Sequence, residues 1–156
     1  MTLCTIDGLA AILPPVGRLI GLDPGKKFIG VALSDLSRTV ASPAETLKRG
    51  KFADLAVHLD ELIKAEEVAG IVVGLPLNMD GSEGPSAQSA RQLARNLSEK
   101  LDIAVSLWDE RLSTAAVERA MIDADLTRRG RQKRVDKLAA AYTLQGTLDY
   151  ITRINN

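Results

Sequence analysis

Asp23, Asp35, Asp109 and Glu110 each close an apolar run, Asp80 follows another within a few residues, and Asp136 opens a predicted helix. Carboxylates gathered at one edge of a sheet repel one another and raise one another's pKa, so such a cluster calls for a cation. Without a Cys or a well-placed His to contribute, oxygen-only ligands select a hard ion, Mg²⁺ or Mn²⁺. Two such ions about 4 Å apart activate a water and stabilise the departing oxygen during in-line attack on phosphorus. The competing reading of each acid is ordinary: an Asp at a strand end turns the chain or caps a helix. The choice depends on which acids the surrounding elements bring to one edge.

Arg18 to Leu22 is a short apolar run stopped by Asp23-Pro24-Gly25, which is turn chemistry. Phe28 to Leu33 resumes, predicting a hairpin. Thr39 to Leu47 is a third extended segment, and Pro43 suits it to a sheet edge. From Lys51 the period changes, with Phe52, Leu55, Ala56, Leu59, Leu62 and Ile63 at helical spacing. Ile71 to Leu75 is a continuous apolar run, as in a strand buried on both faces. After the loop from Asn78 to Ser82, Pro85 suits the first position of a helix whose stripe is Ala90, Leu93, Ala94, Leu97 and Leu101. Ile103 to Trp108 is the next strand. Ser113 is placed to cap a helix with Ala116, Val117, Ala120 and Met121 inward. The last helix runs from about Val135, with Leu138, Ala139, Tyr142 and Leu148 inward. The sum is an α/β fold with a mixed five-stranded sheet, a three-strand antiparallel meander plus two parallel strands, flanked by helices. Residues 1–16 read as an N-terminal extension and 17–156 as a single domain.

This order sorts the acids. The first strand runs up to Asp23 and the second returns, so Asp35 falls at the opposite edge. Later strands enter through helical crossovers and run parallel to the first. Their ends, carrying Asn78, Asp80, Asp109 and Glu110, rise on the side of Asp23, the edge where open α/β sheets bind ligands. Asp136 joins them from the final helix, so Asp23, Glu110 and Asp136 can converge. Asp109 and Glu110 cannot both point inward from a regular strand.

Formal net charge is zero, yet Arg128 to Lys137 holds six bases against the single acid Asp136, a local +5 that leaves −5 elsewhere. Arg128, Arg129, Arg131, Lys133 and Arg134 read as a phosphate-contacting loop made flexible by Gly130, with Lys26 and Lys27 adding to it. A solvated charge run is the plain alternative. Arg111 either contacts phosphate or pairs with Asp109. The loop holding Asn78, Asp80 and Ser82 either lines a substrate groove or is an ordinary strand-to-helix turn. His58 lies on an amphipathic helix far in sequence from the acids and reads as structural. Trp108 reads as core, with base stacking as its alternative.

Four motifs occur together and in order: Gly21-Leu22-Asp23-Pro24-Gly25 with Gly30-Val31-Ala32-Leu33-Ser34-Asp35; Val73-Gly74-Leu75-Pro76-Leu77-Asn78-Met79-Asp80-Gly81-Ser82; Asp109-Glu110-Arg111-Leu112-Ser113-Thr114; and Val135-Asp136-Lys137-Leu138-Ala139-Ala140. They resemble the YqgF family, described both as Holliday-junction resolvases and as nucleases of pre-16S rRNA. The resemblance runs from about Gly17 to Tyr150 and leaves residues 1–16 uncovered. It implies an RNase H-like fold and a catalytic, metal-binding triad of Asp23, Glu110 (favoured over Asp109) and Asp136. The implied activity is a divalent-metal-dependent endonuclease that matures the 5′ end of pre-16S rRNA, or alternatively resolves branched DNA. Its partners would be a structured RNA precursor or branched DNA and the pre-ribosomal small subunit, with the chain a monomer or a homodimer. Nothing in the residues themselves specifies RNA over DNA.

Composition narrows the classes further. A single cysteine, Cys4, allows no intramolecular disulfide and no Cys-based metal site, which fits a cytoplasmic location. The apolar run Leu9 to Leu13 is too short to span a bilayer, lacks a basic lead and is stopped by Pro14-Pro15. Two Phe, two Tyr and one Trp leave the core to aliphatic residues and argue against a reader of single strands by stacking. A sugar kinase or actin-like ATPase needs a second lobe that 156 residues do not supply. The remaining rival is a non-catalytic nucleic-acid- or ribosome-associated factor that keeps the fold and the basic segment.

Overall fold

The computed structural model describes residues 3–112 and 128–155, the side chains of 128–135 excepted. The chain opens with β1 (Leu3–Cys4) and α1 (Ile6–Ile12), whose N-cap Thr5 accepts a hydrogen bond from the Gly8 N–H at 3.0 Å. β2 (Arg18–Pro24), β3 (Phe28–Ser34) and β4 (Ala41–Lys48) form the expected antiparallel meander. Then follow α2 (Phe52–Ala65), β5 (Val68–Leu75), α3 (Pro85–Lys100, proline in its first turn), β6 (Ala104–Asp109), a 3₁₀ turn (Glu110–Leu112) and α4 (Arg128–Ile154). The sheet order is β1-β6-β5-β2-β3-β4, with β2, β5, β6 and β1 parallel. Pro43 lies on the edge strand β4, opposite Ala32 and beside a register shift.

Three expectations need correction. The sheet has six strands, not five, because Leu3 and Cys4 pair with Val105 and Ser106; two residues are too few to show alternation in sequence. The basic segment is not a loop: from Arg128 its backbone is helical, and Asp136 lies in the third turn of α4. Arg, Lys and Gln are strong helix formers, and one internal glycine costs only about 1 kcal/mol. Finally, Ala140, Leu144, Leu148 and Ile151 are the deeply buried stripe of α4 beside Ala139, while Leu138 and Tyr142 are half-buried. The helix expected after Ser113 lies outside the described residues.

Alternation along each strand separates two cores. Ile20, Leu22, Val31, Ile71, Val73 and Val105 face α2 and α3. Leu19, Ala32, Val72 and Trp108 face α1 and α4, where Leu9, Leu144 and Leu148 fill the layer. Gly21 and Gly30 share the α4 face by the same alternation. A Cβ at Gly21 would lie 2.8 Å from Leu144 Cβ, and one at Gly30 would lie 1.9 Å from the Asp136 carbonyl oxygen. At these two positions helix α4 therefore rests on strand backbone, while its apolar stripe packs on the side chains around them. At the opposite end, Asp35 accepts hydrogen bonds from the Thr39 and Val40 N–H groups, which with Ser37 lower its pKa to about 2. Arg38 holds the Gly17 and Pro14 carbonyls and so ties down the segment entering β2. Among the described residues no helix is long and apolar enough to cross a membrane.

The close seat of α4 makes Gly30→Ala costly, by about 3 kcal/mol, because helix backbone must move. At Gly50 a Cβ meets nothing within 4 Å, so Gly50→Ala is expected to be neutral or stabilising by about 0.5 kcal/mol. Urea denaturation of both variants checks this; equal midpoints would remove the proposed seat.

Candidate active site

Asp23 is the penultimate residue of β2 and lies on the α4 face, because it follows Leu19 and Gly21 at two-residue intervals. It is 3% exposed, and Asp136 is 2% exposed. Asp23 pairs across the sheet with Gly30, against which the Asp136 backbone packs. The Asp136 side chain turns toward the β2–β3 turn: its Oδ1 lies 3.5 Å from where a Cβ on Gly25 would stand. On the other side Leu22 pairs with Val73, so Gly74 occupies the next register position, beside Asp23. Glu110 Oε1 lies 2.5 Å from where a Cβ on Gly74 would stand. Glu110, Asp23 and Asp136 thus belong to three adjacent strand positions on one face, spanning roughly 10 Å at about 4.8 Å per strand. Among the described residues, no three His, Cys, Asp or Glu side chains are drawn together as a ready-made metal cage. The acids form a short track floored by glycine.

Asp109 and Glu110 part ways because the strand ends between them. Asp109 is the last residue of β6, and its carboxylate is taken by Arg111: Nη2 donates to Oδ2 at 2.8 Å and Nε to Oδ1 at 3.1 Å. That pairing lowers the Asp109 pKa and is one of the two roles expected of Arg111. Arg111 also donates to the Met79 carbonyl at 3.4 Å and flanks Gly81, whose φ is +88°. It braces the loop of Asn78, Asp80 and Ser82 against β6. Within that loop Asp80 Oδ1 accepts from the Ser82 N–H at 2.9 Å and hydroxyl at 2.6 Å, and Asn78 Nδ2 donates to Ser82 Oγ at 3.0 Å. The Asp80 carboxylate is therefore spent on the turn, while Met79 at its tip is 91% exposed.

Lys26 and Lys27 are exposed on the turn that follows Asp23. The side chains of Arg128, Arg129, Arg131, Lys133 and Arg134 lie outside the described residues; their backbone forms the turns of α4 before Asp136. His58 is bonded to Glu45 on β4, away from the acids. Trp108 is buried and meets Tyr150 edge-on at 5.9 Å, which makes it core. Sequence reasoning gave no role to Gly30, Gly74 or Arg49. A glycine inside a strand pattern signals close backbone approach, but nothing in the sequence marks Arg49. Its Nη1 donates to the Gly25 carbonyl at 2.8 Å and its Nη2 to Ser89 Oγ at 2.7 Å, fixing the turn beside Asp23 to α3.

Burial raises the Glu110 pKa to about 7, with Asp109 nearby adding to the rise. A folded pKa above the unfolded one contributes stability below about pH 4.5, and this is lost as pH climbs through about 7. In chelator, wild type should lose up to about 3 kcal/mol relative to Glu110→Gln between pH 5 and pH 8. Urea titrations at both pH values measure the difference; parallel behaviour of the two proteins would contradict it.

The RuvX family, described as Holliday junction resolvase, matches residues 17–150. A protein of Ruegeria pomeroyi, provisionally named pre-16S rRNA nuclease, is 53% identical over 96% of this chain and 97% of its own. One of Acidiphilium cryptum with the same name is 50% identical over 97% of this chain and 96% of its own. Among solved structures, T. thermophilus RuvC in complex with Holliday junction substrate aligns with 88% of this chain and 96% of its own, at a TM-score of 0.54 and 13% identity. That likeness is one of fold, and the RNase H-like architecture expected from the motifs is the one found. Matched along nearly its whole length by sequence and by fold, the chain belongs to the RuvX family, also called YqgF.

Proposed function

We propose that this protein is a divalent-metal-dependent endonuclease that hydrolyses a phosphodiester in the 5′-end maturation of pre-16S rRNA, in the cytoplasm. The observation that supports this reading is that Glu110 Oε1 and the Asp136 backbone lie against Gly74 and Gly30, the strand positions on either side of Asp23, although 113 positions separate Asp23 from Asp136. The names of the relatives from Ruegeria pomeroyi and Acidiphilium cryptum support the substrate.

The donor set fits a hard cation. It consists of carboxylates, and burial, with Asp109 adding to it, raises the Glu110 pKa to about 7, a penalty that a positive ion offsets. Asp23, Glu110 and Asp136 would hold Mg²⁺ or Mn²⁺, which when bound supplies a water nucleophile and neutralises charge on the phosphoryl oxygens. The rest falls to the protein. Gly30 and Gly74 keep the floor free of side chains, and Arg49 fixes the turn that carries Gly25. Lys26 and Lys27, with the basic turns of α4, draw in and orient the phosphate backbone. Arg111 holds the Asn78–Ser82 loop at the rim of the groove.

A second reading, resolution of a four-way DNA junction, follows from the family's description. It demands two matched cuts and therefore paired protomers, so a monomer in solution would count against it. The test is cutting of pre-16S RNA and junction DNA in Mg²⁺ and in Mn²⁺. Asp23→Asn and Asp136→Asn should each lose more activity than the 10- to 100-fold typical of outer-shell partners, with binding retained. Binding by wild type without cutting would leave a non-catalytic factor. In cells, depletion followed by sequencing of rRNA ends should show unprocessed 5′ termini; normal termini would refute the RNA role.

A further inference from the structure

The face of the sheet opposite α4 carries a cleft that the carboxylate edge does not explain. Between α2 and α3, at the ends of β3 and β4, lies a cavity of about 490 Å³, a size that suits a small ligand. Its apolar lining is Ile29, Leu47, Phe52, Leu55 and Leu93. Its mouth holds Lys48, Arg49 and Lys51 against one acid, Asp54, and the amides of Gln92 and Asn96 stand on the α3 side. Gln92 Nε2 donates to Asn96 Oδ1 at 2.8 Å, which keeps the two amides together. His58, at the α2 wall, is occupied by Glu45.

This mouth opens at the same sheet edge as Asp23. Lys48 pairs with Phe28, just past the β2–β3 turn, and the Arg49 N–H donates to the Lys27 carbonyl at 2.7 Å. Lys26, Lys27, Lys48 and Lys51 are all exposed, so one basic rim runs from the carboxylates to the cleft.

We infer that a nucleic-acid strand engaged at the carboxylate edge continues over this rim and seats one unstacked nucleotide in the α2–α3 cleft, its base on Phe52 and its phosphates on Lys48 and Lys51. The inference rests on the nuclease reading above and adds a subsite to it. The chemistry matches in each part: a base has flat apolar faces and a polar edge, for which a ring and paired amides are complements, and lysines suit the phosphate. The few aromatic residues of the chain argue against a stacking platform, but one base needs only one ring.

Binding of a fluorescein-labelled RNA hairpin with a single-stranded 5′ extension, followed by anisotropy in chelator on the whole protein, tests this. Lys48→Ala/Lys51→Ala should weaken binding about tenfold and flatten its salt dependence by more than one unit of log–log slope. Phe52→Leu, which keeps the floor apolar, should weaken it about tenfold with the slope unchanged. Lys64→Ala, on the exposed side of α2 and paired with Asp60, should bind as wild type does; thermal melts confirm that each variant is folded. A 4-thiouridine in the extension should crosslink to residues 48–58 or 89–96. Crosslinks confined elsewhere, or a double variant indistinguishable from Lys64→Ala, would overturn the subsite. Loss with the lysines but not with Phe52→Leu would overturn the base seat. If wild type cuts the hairpin while these variants bind unchanged, only the cleft assignment fails; if wild type neither binds nor cuts, the nuclease reading fails with it.

Discussion

A helix can approach a sheet only as closely as the side chains between them permit, and at Gly30 there is none. The carbonyl oxygen of Asp136 lies within 1.9 Å of the place where a methyl group would stand. This contact puts the third turn of α4 against the backbone opposite Asp23, and Gly21 continues the seat one pair along, under Leu144. The carboxylate edge depends on it, since a side chain at position 30 would lift Asp136 away from β2. The apolar stripe Ala140, Leu144 and Leu148 then fixes the axis of the helix, each fully buried Leu contributing about 1.5–3 kcal/mol.

The same edge shows how local geometry decides the state of neighbouring acids. Asp109 and Glu110 are adjacent in sequence, yet Arg111 neutralises one while the other enters the sheet layer over Gly74. A regular strand would have sent them to opposite faces; ending β6 at Asp109 and beginning a 3₁₀ turn at Glu110 achieves the separation differently. Glu110 then bears the cost of desolvation as a raised pKa. The Asp109–Arg111 pair costs less, being partly solvated, and spends itself on bracing a loop.

Much of this arrangement was legible in the sequence, for identifiable reasons. Strand and helix periods reveal β2 to α3, because each runs for several residues with a consistent face. The parallel crossover rule then sends Asp23 and Glu110 to one edge and Asp35 to the other. The rest was hidden where signals were short or ambiguous. Leu3–Cys4 is too brief to alternate, and Gly130 suggested a break that neighbouring Arg and Lys residues override. The tie from Arg49 to Gly25 and Ser89 joins residues 24 and 40 positions apart, which no local pattern encodes. The floor glycines were visible as letters, but their role requires knowing that α4 lies above them.

Zero net charge, finally, conceals a separation that matters at this edge. The acids Asp23 and Asp136 are almost wholly buried, whereas Lys26, Lys27, Lys48 and Lys51 stand exposed around them on the two adjoining turns. At physiological salt, charge is felt over about 8 Å. An approaching polyanion therefore meets the lysines before the carboxylates. Repulsion by the acids is lessened because Glu110, with its pKa near 7, carries less than a full charge at neutral pH. A chain neutral overall thus presents a basic rim beside acids sunk beneath the surface, and the glycine seat of α4 is what sinks Asp136.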